Sequence, residues 1–478
     1  MAQSTIAKPQ SFTPAYNPVK YIIDSTNKNN TGFKYIFDVY NGATQIGRFK
    51  ALPRINDGYG QQDFSKFLSS YVSWDFDPNV TLDYDAVNSY YQYQVKTGEE
   101  YLAEFSYTSA LTNSSGFVRV NVTNTFAIGD QINIVQAVGG TANPLVEGLH
   151  SVTNSSGSWF EISVAWSSVT NANIDGVVTY ADNRKVATYN VQTLTSGNVF
   201  NGAFRFSQWP TYDADLYNPD DPTKLWLTNQ PLTGFSATLG QDIWLNIRAR
   251  VGKKVVFVNN DGEEYYKTIT NNTTIQGVAV GPNNYGTLTP VGAATLPLIK
   301  DDTTYYEFYY DDSGVSSETY RVNIDRRESI EEVDVVFLDR LGSMSSFAFQ
   351  LKTYERGEVS REEYNQDVTG YVSSGQWTYD TKEFGYSTIN LNAVKTLELN
   401  TNYMPQEMAT YFEELVTSPQ VFIKQVSYSC VDGIVVTSTE YLPAIVTTNS
   451  YEVFKQRNKN LMKQTIVVKL ANNDAING

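Results

Sequence analysis

Residues 33–40, FKYIFDVY, are followed by the pair Asn41-Gly42 and then by residues 45–52, QIGRFKAL. Both runs are rich in aromatic and β-branched residues, and an Asn-Gly pair between two such runs is the strongest short-range signal for a β-hairpin. Similar short runs, separated by turns rich in Gly and Asn, recur along the rest of the chain. The sequence therefore predicts a mainly all-β protein.

The length of 478 residues predicts several domains, because a single core rarely grows beyond about 250–300 residues. Residues 111–184 lose most of their charge, and we predict that they form a small β-barrel inserted into a loop of a larger domain. The larger part would comprise residues 16–110 and 185–330 as β-sandwich domains, after an N-terminal arm at 1–15. Residues 331–478 would form a β-rich docking or oligomerisation domain, beginning after a charged run that resembles a domain boundary.

One helix is predicted, at Pro405–Val416. Proline suits the first helical turn, and Pro419 is expected to end the helix. Four apolar residues at three- and four-residue spacing would form its buried face: Met408, Tyr411, Phe412 and Leu415.

The formal net charge of −16 argues against nucleic-acid phosphates and anionic membrane surfaces as partners. No apolar run approaches the roughly 20 residues of a membrane span. The first ten residues do not resemble a signal peptide, so we expect synthesis and folding in a cytoplasm. A single cysteine permits no internal disulfide.

The scarcity of histidine and cysteine restricts catalysis. A nucleophilic triad would have to use His150, which lies in a strand-like run and is interpreted as a packing residue. Cys430 is interpreted as an inert thiol, and a zinc site would need more Cys and His ligands than the chain has. We therefore predict no catalytic or cofactor-binding residues, although two carboxylates would suffice for a glycosidase.

One acidic loop is a weak candidate for calcium. Asp213, Asp215 and Asp220 lie within residues 213–221, and oxygen-rich loops of this kind can bind Ca²⁺. The loop lacks the glycine and the distal glutamate of a calcium-binding helix–loop–helix. A solvated loop is the favoured interpretation, with calcium as the alternative.

Aromatic residues offer a different kind of site. Exposed tryptophans could stack on sugars, but in strands most aromatic side chains belong to the core or to cross-strand pairs. We favour the core interpretation for most of the five candidates: Trp159, Trp166, Trp209, Trp226 and Trp244.

Three stretches resemble virion proteins of tailed bacteriophages. Residues 117–122, 128–134 and 147–152 resemble a small β-barrel module of phage tail and fibre proteins. Residues 336–349, VFLDRLGSMSSFAF, resemble a segment of tail proteins from phages of Bacteroidota, with Asp339 where Asn is usual. The region from residue 405 onward is similar to the C-terminal part of the same proteins.

The resemblance implies a structural subunit of the virion tail, made in the host cytoplasm: a ring, hub, adaptor or tail-tip component. Its expected partners are further copies of itself and other tail, neck or fibre proteins. The first alternative is a tail protein that binds a host receptor or surface glycan, with Trp159 and Trp166 as candidates. The second is a polysaccharide depolymerase with paired carboxylates.

Overall fold

The computed structural model describes most of the chain. The described residues are 3–79, 83–108, 111–136, 143–170, 172–173, 175–182, 185–221, 223–271, 273–327, 332–366, 370–380, 385–431, 434–448 and 461–471. They fold predominantly into β-strands arranged in several sheets, which confirms the predicted all-β class.

The strands up to residue 200 are, in chain order, β1 (Gln3–Ala7), β2 (Phe12–Pro14), β3 (Lys20–Ser25), β4 (Lys34–Asn41), β5 (Thr44–Ala51), β6 (Gly60–Asp63), β7 (Asp83–Asp85), β8 (Tyr90–Leu102), β9 (Glu104–Tyr107), β10 (Leu111–Ser114), β11 (Phe117–Val120), β12 (Gln131–Gln136), β13 (Gly148–Ser156), β14 (Trp159–Ala165), β15 (Gly176–Tyr180) and β16 (Lys185–Phe200).

The later strands are β17 (Phe235–Thr238), β18 (Trp244–Ile247), β19 (Lys254–Asn259), β20 (Glu264–Thr268), β21 (Gln276–Ala279), β22 (Thr289–Pro290), β23 (Tyr305–Asp312), β24 (Val315–Ser316), β25 (Tyr320–Asp325), β26 (Val333–Leu338), β27 (Met344–Phe349), β28 (Tyr354–Gln366), β29 (Tyr371–Ser373), β30 (Gln376–Thr378), β31 (Gly385–Asn400), β32 (Met404–Pro405), β33 (Val421–Val431), β34 (Ile434–Val446), β35 (Leu461–Met462) and β36 (Thr465–Leu470).

Helical segments are short. The α-helices in the described residues are α1 (Ser65–Leu68) and α2 (Gln406–Val416), and 3₁₀ turns lie at Ser69–Tyr71, Val87–Ser89, Trp166–Ser168, Trp209–Thr211 and Ala214–Tyr217. None of the described helices has the length and hydropathy that a membrane span requires.

The hairpin predicted from residues 33–52 is confirmed as β4 and β5. The two strands pair antiparallel, from Tyr35 opposite Ala51 to Asn41 opposite Thr44. The turn residues are therefore Gly42 and Ala43, one position later than the predicted Asn41-Gly42. Gly42 has a φ of 56°, which suits the first central position of a type II′ turn, where glycine is preferred.

The chain forms two compact units. The first comprises Met1–Ser11, Pro18–Ser65 and Gln92–Asn198. It contains the sheet β1-β3-β6 and, in a second sheet, the neighbouring strands β16-β8-β4-β5. Because β1 pairs antiparallel with β3, residues 3–7 of the predicted N-terminal arm are a strand of this unit.

The predicted inserted module is a seven-stranded antiparallel sheet in the order β10-β11-β14-β13-β12-β15-β9. It has a hydrophobic core of its own, in which Val118, Ile132, Ile134, Phe160 and Val178 are fully buried. The module extends beyond the predicted range of 111–184, because β9 pairs with β15. The strands leading into and out of it, β8 and β16, are hydrogen-bonded neighbours.

The second unit comprises Phe12–Asn17, Lys66–Tyr91 and Val199–Gly478. One sheet has the order β17-β25-β23-β19-β20-β22, with β24 paired to β23. The other has ten strands in the order β28-β31-β36-β34-β33-β26-β27-β18-β21-β7. Both sheets contribute to one hydrophobic core together with α2.

This shared core changes the predicted domain boundaries. Residues 331–478 were expected to form a separate domain, but Phe257 and Phe308 of one sheet belong to the same core as Phe337 and Ile423 of the other. Residues 16–110 and 185–330, predicted as one part, are divided between the two units. The charged run at the predicted boundary includes residues 328–331, which lie outside the described residues.

The predicted helix is confirmed with a small shift. It begins at Gln406, and Pro405 is the extended residue before it, with φ −67° and ψ 164°. All four residues of the predicted apolar face are buried in the shared core. Tyr411 contacts the rings of Phe235 and Phe337, so the helix packs against both sheets of this unit.

Candidate functional site

The acidic loop predicted as a calcium candidate is engaged in local contacts. The Asp213 carboxylate accepts a hydrogen bond from the Asp215 amide at 3.0 Å and so caps the following 3₁₀ turn. Asp220 forms an ion pair with Arg250. Over the described residues, no three His, Cys, Asp or Glu side chains converge as metal ligands, so calcium binding here gains no support.

The single histidine lies on β13 of the inserted module. Its Nε2 is 2.9 Å from the Val146 carbonyl oxygen, and partial burial lowers the pKa of the His150 imidazole. This placement agrees with a packing residue. Cys430 lies on β33, but its side chain is outside the described part of the structure.

The tryptophan candidates divide into two groups. Trp226 and Trp244 are core residues, 1% and 0% exposed. Trp159, Trp166 and Trp209 are partly buried; the guanidinium of Arg119 lies 3.9 Å from the Trp159 ring centroid. A sugar would have to displace Arg119 to stack on that face of Trp159.

Residues 333–349 form β26, a tight turn and β27 in the interior of the ten-stranded sheet. Asp339 organises the turn: one carboxylate oxygen accepts the Leu341 and Ser343 amides at 2.9 and 3.0 Å. The other oxygen accepts the Thr228 hydroxyl at 2.6 Å. An asparagine oxygen could accept the same two amides, which explains why Asn or Asp suits this position.

Helix α2 contacts this turn through a buried glutamate. Glu414 accepts the backbone amide of Arg340 at 3.1 Å and pairs with the side chains of Arg205 at 2.9 Å and Arg340 at 3.4 Å. The Glu414 side chain is only 2% exposed. A cavity of about 410 Å³ adjoins the turn, and Trp74, Arg340 and Glu414 contribute to its wall.

Two carboxyl groups near one cavity raise the question of acid–base chemistry. Burial raises the pKa of Asp339 to about 7, with the charge of Glu414 adding to the effect, while hydrogen bonds to Asp339 oppose it. Both carboxyl groups are saturated by structural hydrogen bonds and are almost fully buried. The geometry therefore supports a role in holding the turn, the helix and the neighbouring loop together.

Asp339→Asn is expected to flatten the pH dependence of stability between about pH 4 and pH 7. The folded pKa of about 7 lies above the ordinary value of roughly 4. The folded state therefore holds the extra proton in this window, and its stability falls as the pH rises. Denaturant unfolding measures the free energy of unfolding at each pH. Between about pH 4 and pH 7 this free energy should fall by about 2–4 kcal/mol more for the native chain than for the variant.

Glu318→Gln is the matched comparison, because burial also raises the pKa of Glu318 to about 7. Each variant should remove its own share of the pH dependence, and the double variant should remove both. Parallel curves for Asp339→Asn and the native chain would show that Asp339 is already ionised in the fold at acidic pH.

A second group of buried charges crosses the ten-stranded sheet. Asp334, Lys424 and Tyr441 lie directly opposite one another on β26, β33 and β34, and we call them the buried row. Lys424 forms an ion pair with Asp242, whose carboxylate also accepts the Tyr441 hydroxyl at 2.6 Å. The side chains of Lys424 and Asp242 are 8% and 4% exposed.

Within the buried row, Asp334 is the least satisfied member. One of its oxygens is buried without a hydrogen-bond partner among the described residues, and the other accepts the Asp242 amide at 3.3 Å. Burial raises the pKa of the Asp334 carboxyl well above its ordinary value. A cavity of about 850 Å³ lies beside the row, lined in part by Asp334, Lys424, Glu355 and Lys395.

The most exposed feature of this unit is a long hairpin formed by β28 and β31. The strands pair from Tyr354 opposite Glu398 to Gln366 opposite Gly385. At about 3.3 Å per residue, the 13 residues of β28 give an arm about 40 Å long. Every residue of β28 from Tyr354 to Asn365 is exposed, so this strand has no core to cover.

The small hairpin β29–β30, which lies between the two arm strands in sequence, also carries exposed aromatic and apolar side chains. Val372 and Trp377 face each other across this hairpin and are 72% and 58% exposed. Tyr379 lies 5.5 Å from the Trp377 ring, and Trp377 packs against Gly370, where a Cβ would overlap the indole. We call β28, β31 and this small hairpin the arm.

The sequence interpretation placed a docking domain here but missed the arm. Its signal was present in residues 354–366, YERGEVSREEYNQ, where charged residues occupy both faces of the strand. A strand with one buried face alternates apolar and polar residues, and this strand does not. A β-rich run that is polar on both faces predicts an exposed strand.

Comparison with known proteins adds no family to these observations. No protein-family model matches the chain, and no curated protein is similar enough to count as a relative.

Proposed function

We propose that the chain is a non-enzymatic structural subunit of a tailed-bacteriophage virion, which assembles as a homo-oligomer in the tail and docks other virion proteins. The observation that carries this proposal is the arm. An exposed hairpin of this length, with aromatic residues on its small hairpin, is suited to contact another protein.

The exposed area of the arm supports the proposal. Eight large side chains on it are between 45% and 77% exposed: Tyr354, Val359, Tyr364, Tyr371, Val372, Trp377, Tyr386 and Ile389. Together they present several hundred Å², since one aromatic side chain can bury roughly 150–250 Å². A stable interface takes about 800 Å² from each partner.

The base of the arm is joined to the rest of the ten-stranded sheet by strand pairing. β31 pairs with β36 through Thr396–Asn400, and β36 in turn pairs with β34, so the arm continues a ten-stranded sheet. The same sheet contains the buried row and the Asp339 turn, whose hydrogen bonds fix neighbouring strands. A rigid base holds an exposed arm in one orientation, which favours docking because less entropy is lost on binding.

The resemblance of residues 336–349 to phage tail proteins gives the proposal its particular class. This segment forms β26, the Asp339 turn and β27, at the centre of the sheet that bears the arm. The resemblance and the arm are independent observations, one from sequence and one from geometry.

The double variant Val372→Ser with Trp377→Ser tests the docking role. We expect it to fold and to self-associate as the native chain does, but to enter virions at least about tenfold less efficiently, because central aromatic residues dominate interface energies. The measurement is the amount of tagged variant in particles purified from infected cells that express it.

Phe206→Ser is the control, because Phe206 is 93% exposed and lies outside the arm. It should enter particles normally. The proposal fails if light scattering finds a monomer at high concentration and if immunogold labelling finds nothing at the tails of particles.

A further inference from the structure

We propose that β28 pairs with the same strand of a second copy, antiparallel and about a two-fold axis at Val359. This inference rests on the proposed homo-oligomer and names one surface through which two copies meet. It starts from the position of β28, which is the terminal strand of the ten-stranded sheet within the described residues.

An edge strand presents a row of backbone N–H and C=O groups to the outside. Edges of this kind pair with other strands unless they are short, bulged, covered or lined with charges that repel the added strand. β28 has 13 residues, and its pairing with β31 shifts register only between Glu362 and Glu363. Its geometry therefore allows a second strand to be added along most of its length.

The sequence of β28 is complementary to itself in this register. With Val359 opposite Val359 of the second copy, Arg356 comes opposite Glu362, and Tyr354 comes opposite Tyr364. Each of the last two pairs occurs twice because of the two-fold axis. Opposite charges and aromatic pairs directly across neighbouring strands are stabilising.

The remaining charges are also accommodated. Glu355 comes opposite Glu363 of the second copy, but Arg361 of that copy lies two residues further along, opposite Gly357, and can reach Glu355. Glu355 also lies 3.5 Å from Lys395 within its own chain. Arg356 also pairs with Glu398 of its own chain at 2.9 Å, so this arginine would lie between Glu398 and Glu362 of the second copy.

Neighbouring registers are worse. Moving the two-fold axis to residue 358 places Glu355 opposite Arg361, but it also places Glu358 opposite itself and brings Tyr354 opposite Glu362 instead of Tyr364. Moving it to residue 360 places Glu358 opposite Glu362. Like charges directly opposite each other are destabilising. The paired tyrosines, together with the Arg356–Glu362 pairs, favour the register centred on Val359.

A cysteine at the axis gives the sharpest test. In a Cys430→Ser background, Val359→Cys should form a disulfide-linked dimer under mild oxidation, because opposite Cα atoms lie about 4.5–5.5 Å apart. Glu358→Cys is the control, since its two copies would be separated by more than the roughly 7 Å that a disulfide spans.

Charge reversal tests the same register without cross-linking. Arg356→Glu and Glu362→Arg should each weaken association by at least about tenfold, and the double variant should restore it. Sedimentation velocity measures the association. A variant that merely unfolded the arm would not be rescued by the second reversal.

The outcomes separate this inference from the proposed function. If light scattering finds an oligomer but the two cysteine variants cross-link equally or not at all, the pairing of β28 is wrong and the homo-oligomer stands. If the chain is monomeric at every concentration and no variant cross-links, the pairing of β28 and the homo-oligomer both fail. In that case the charges of β28 protect an exposed edge from association.

Discussion

Replacing Lys424 with methionine is expected to lower the free energy of unfolding by about 3–5 kcal/mol. Methionine keeps most of the length of the side chain but removes its charge. The Asp242 carboxylate would lose its ion pair while it remains buried, and Asp334 is buried beside it. A buried charge that loses its counterion cannot recover the hydration it lost on folding.

Asp334→Asn is the matched control for Lys424→Met. It removes a carboxyl group from the same buried row, but one that burial already favours in its neutral form. The free energy of unfolding should change by no more than about 1 kcal/mol, and a change in either direction agrees with the prediction. Denaturant unfolding of both variants at neutral pH makes the comparison. A loss below about 1 kcal/mol for Lys424→Met would show that Lys424 contributes no more than an exposed ion pair does.

Gly342→Ala is expected to cost about 2–4 kcal/mol. Gly342 lies in the Asp339 turn with a φ of 97°, a conformation that side chains rarely adopt. A Cβ there would lie 2.5 Å from the Asn201 carbonyl oxygen, which is backbone and cannot rotate away. The turn would have to shift, although its Gly342 carbonyl also accepts the Asn246 side chain at 2.6 Å.

Gly240→Ala is the control for this substitution. Gly240 belongs to the same unit and has no positive φ; a Cβ there would meet only the Glu332 carboxylate at 3.4 Å. Its stability should stay within about 0.5 kcal/mol of the native chain. If thermal or denaturant unfolding showed equal losses of stability for the two alanine variants, a Cβ at position 342 would not strain the Asp339 turn.

Local patterns predicted the elements whose reasons are local. The β4–β5 hairpin follows from alternating aromatic residues around a glycine turn, and α2 follows from apolar spacing and flanking prolines. In each case the residues that decide the structure are neighbours in the sequence.

The rest depends on contacts between distant residues. The core shared by two sheets joins residues 225–349 with residues 399–468. The sequence of either stretch alone does not indicate that it packs against the other. In the sequence, Lys424 and Asp334 are typical of exposed charged residues. Only the pairing of β26 with β33 places them opposite each other in the interior of the sheet. The arm does have a local signal, because charged residues occupy both faces of β28, whereas a strand with one buried face alternates apolar and polar residues.

The pairing of β8 with β16 has a consequence for how this protein can change. Because the two strands are neighbours, the polypeptide leaves this sheet from one strand and returns to it on the adjacent strand. The seven-stranded module therefore occupies the position of a connection between β8 and β16. The entropy cost of closing such a connection rises only slowly with its length. Deletion, enlargement or exchange of this segment could therefore leave the register of the surrounding strands unchanged.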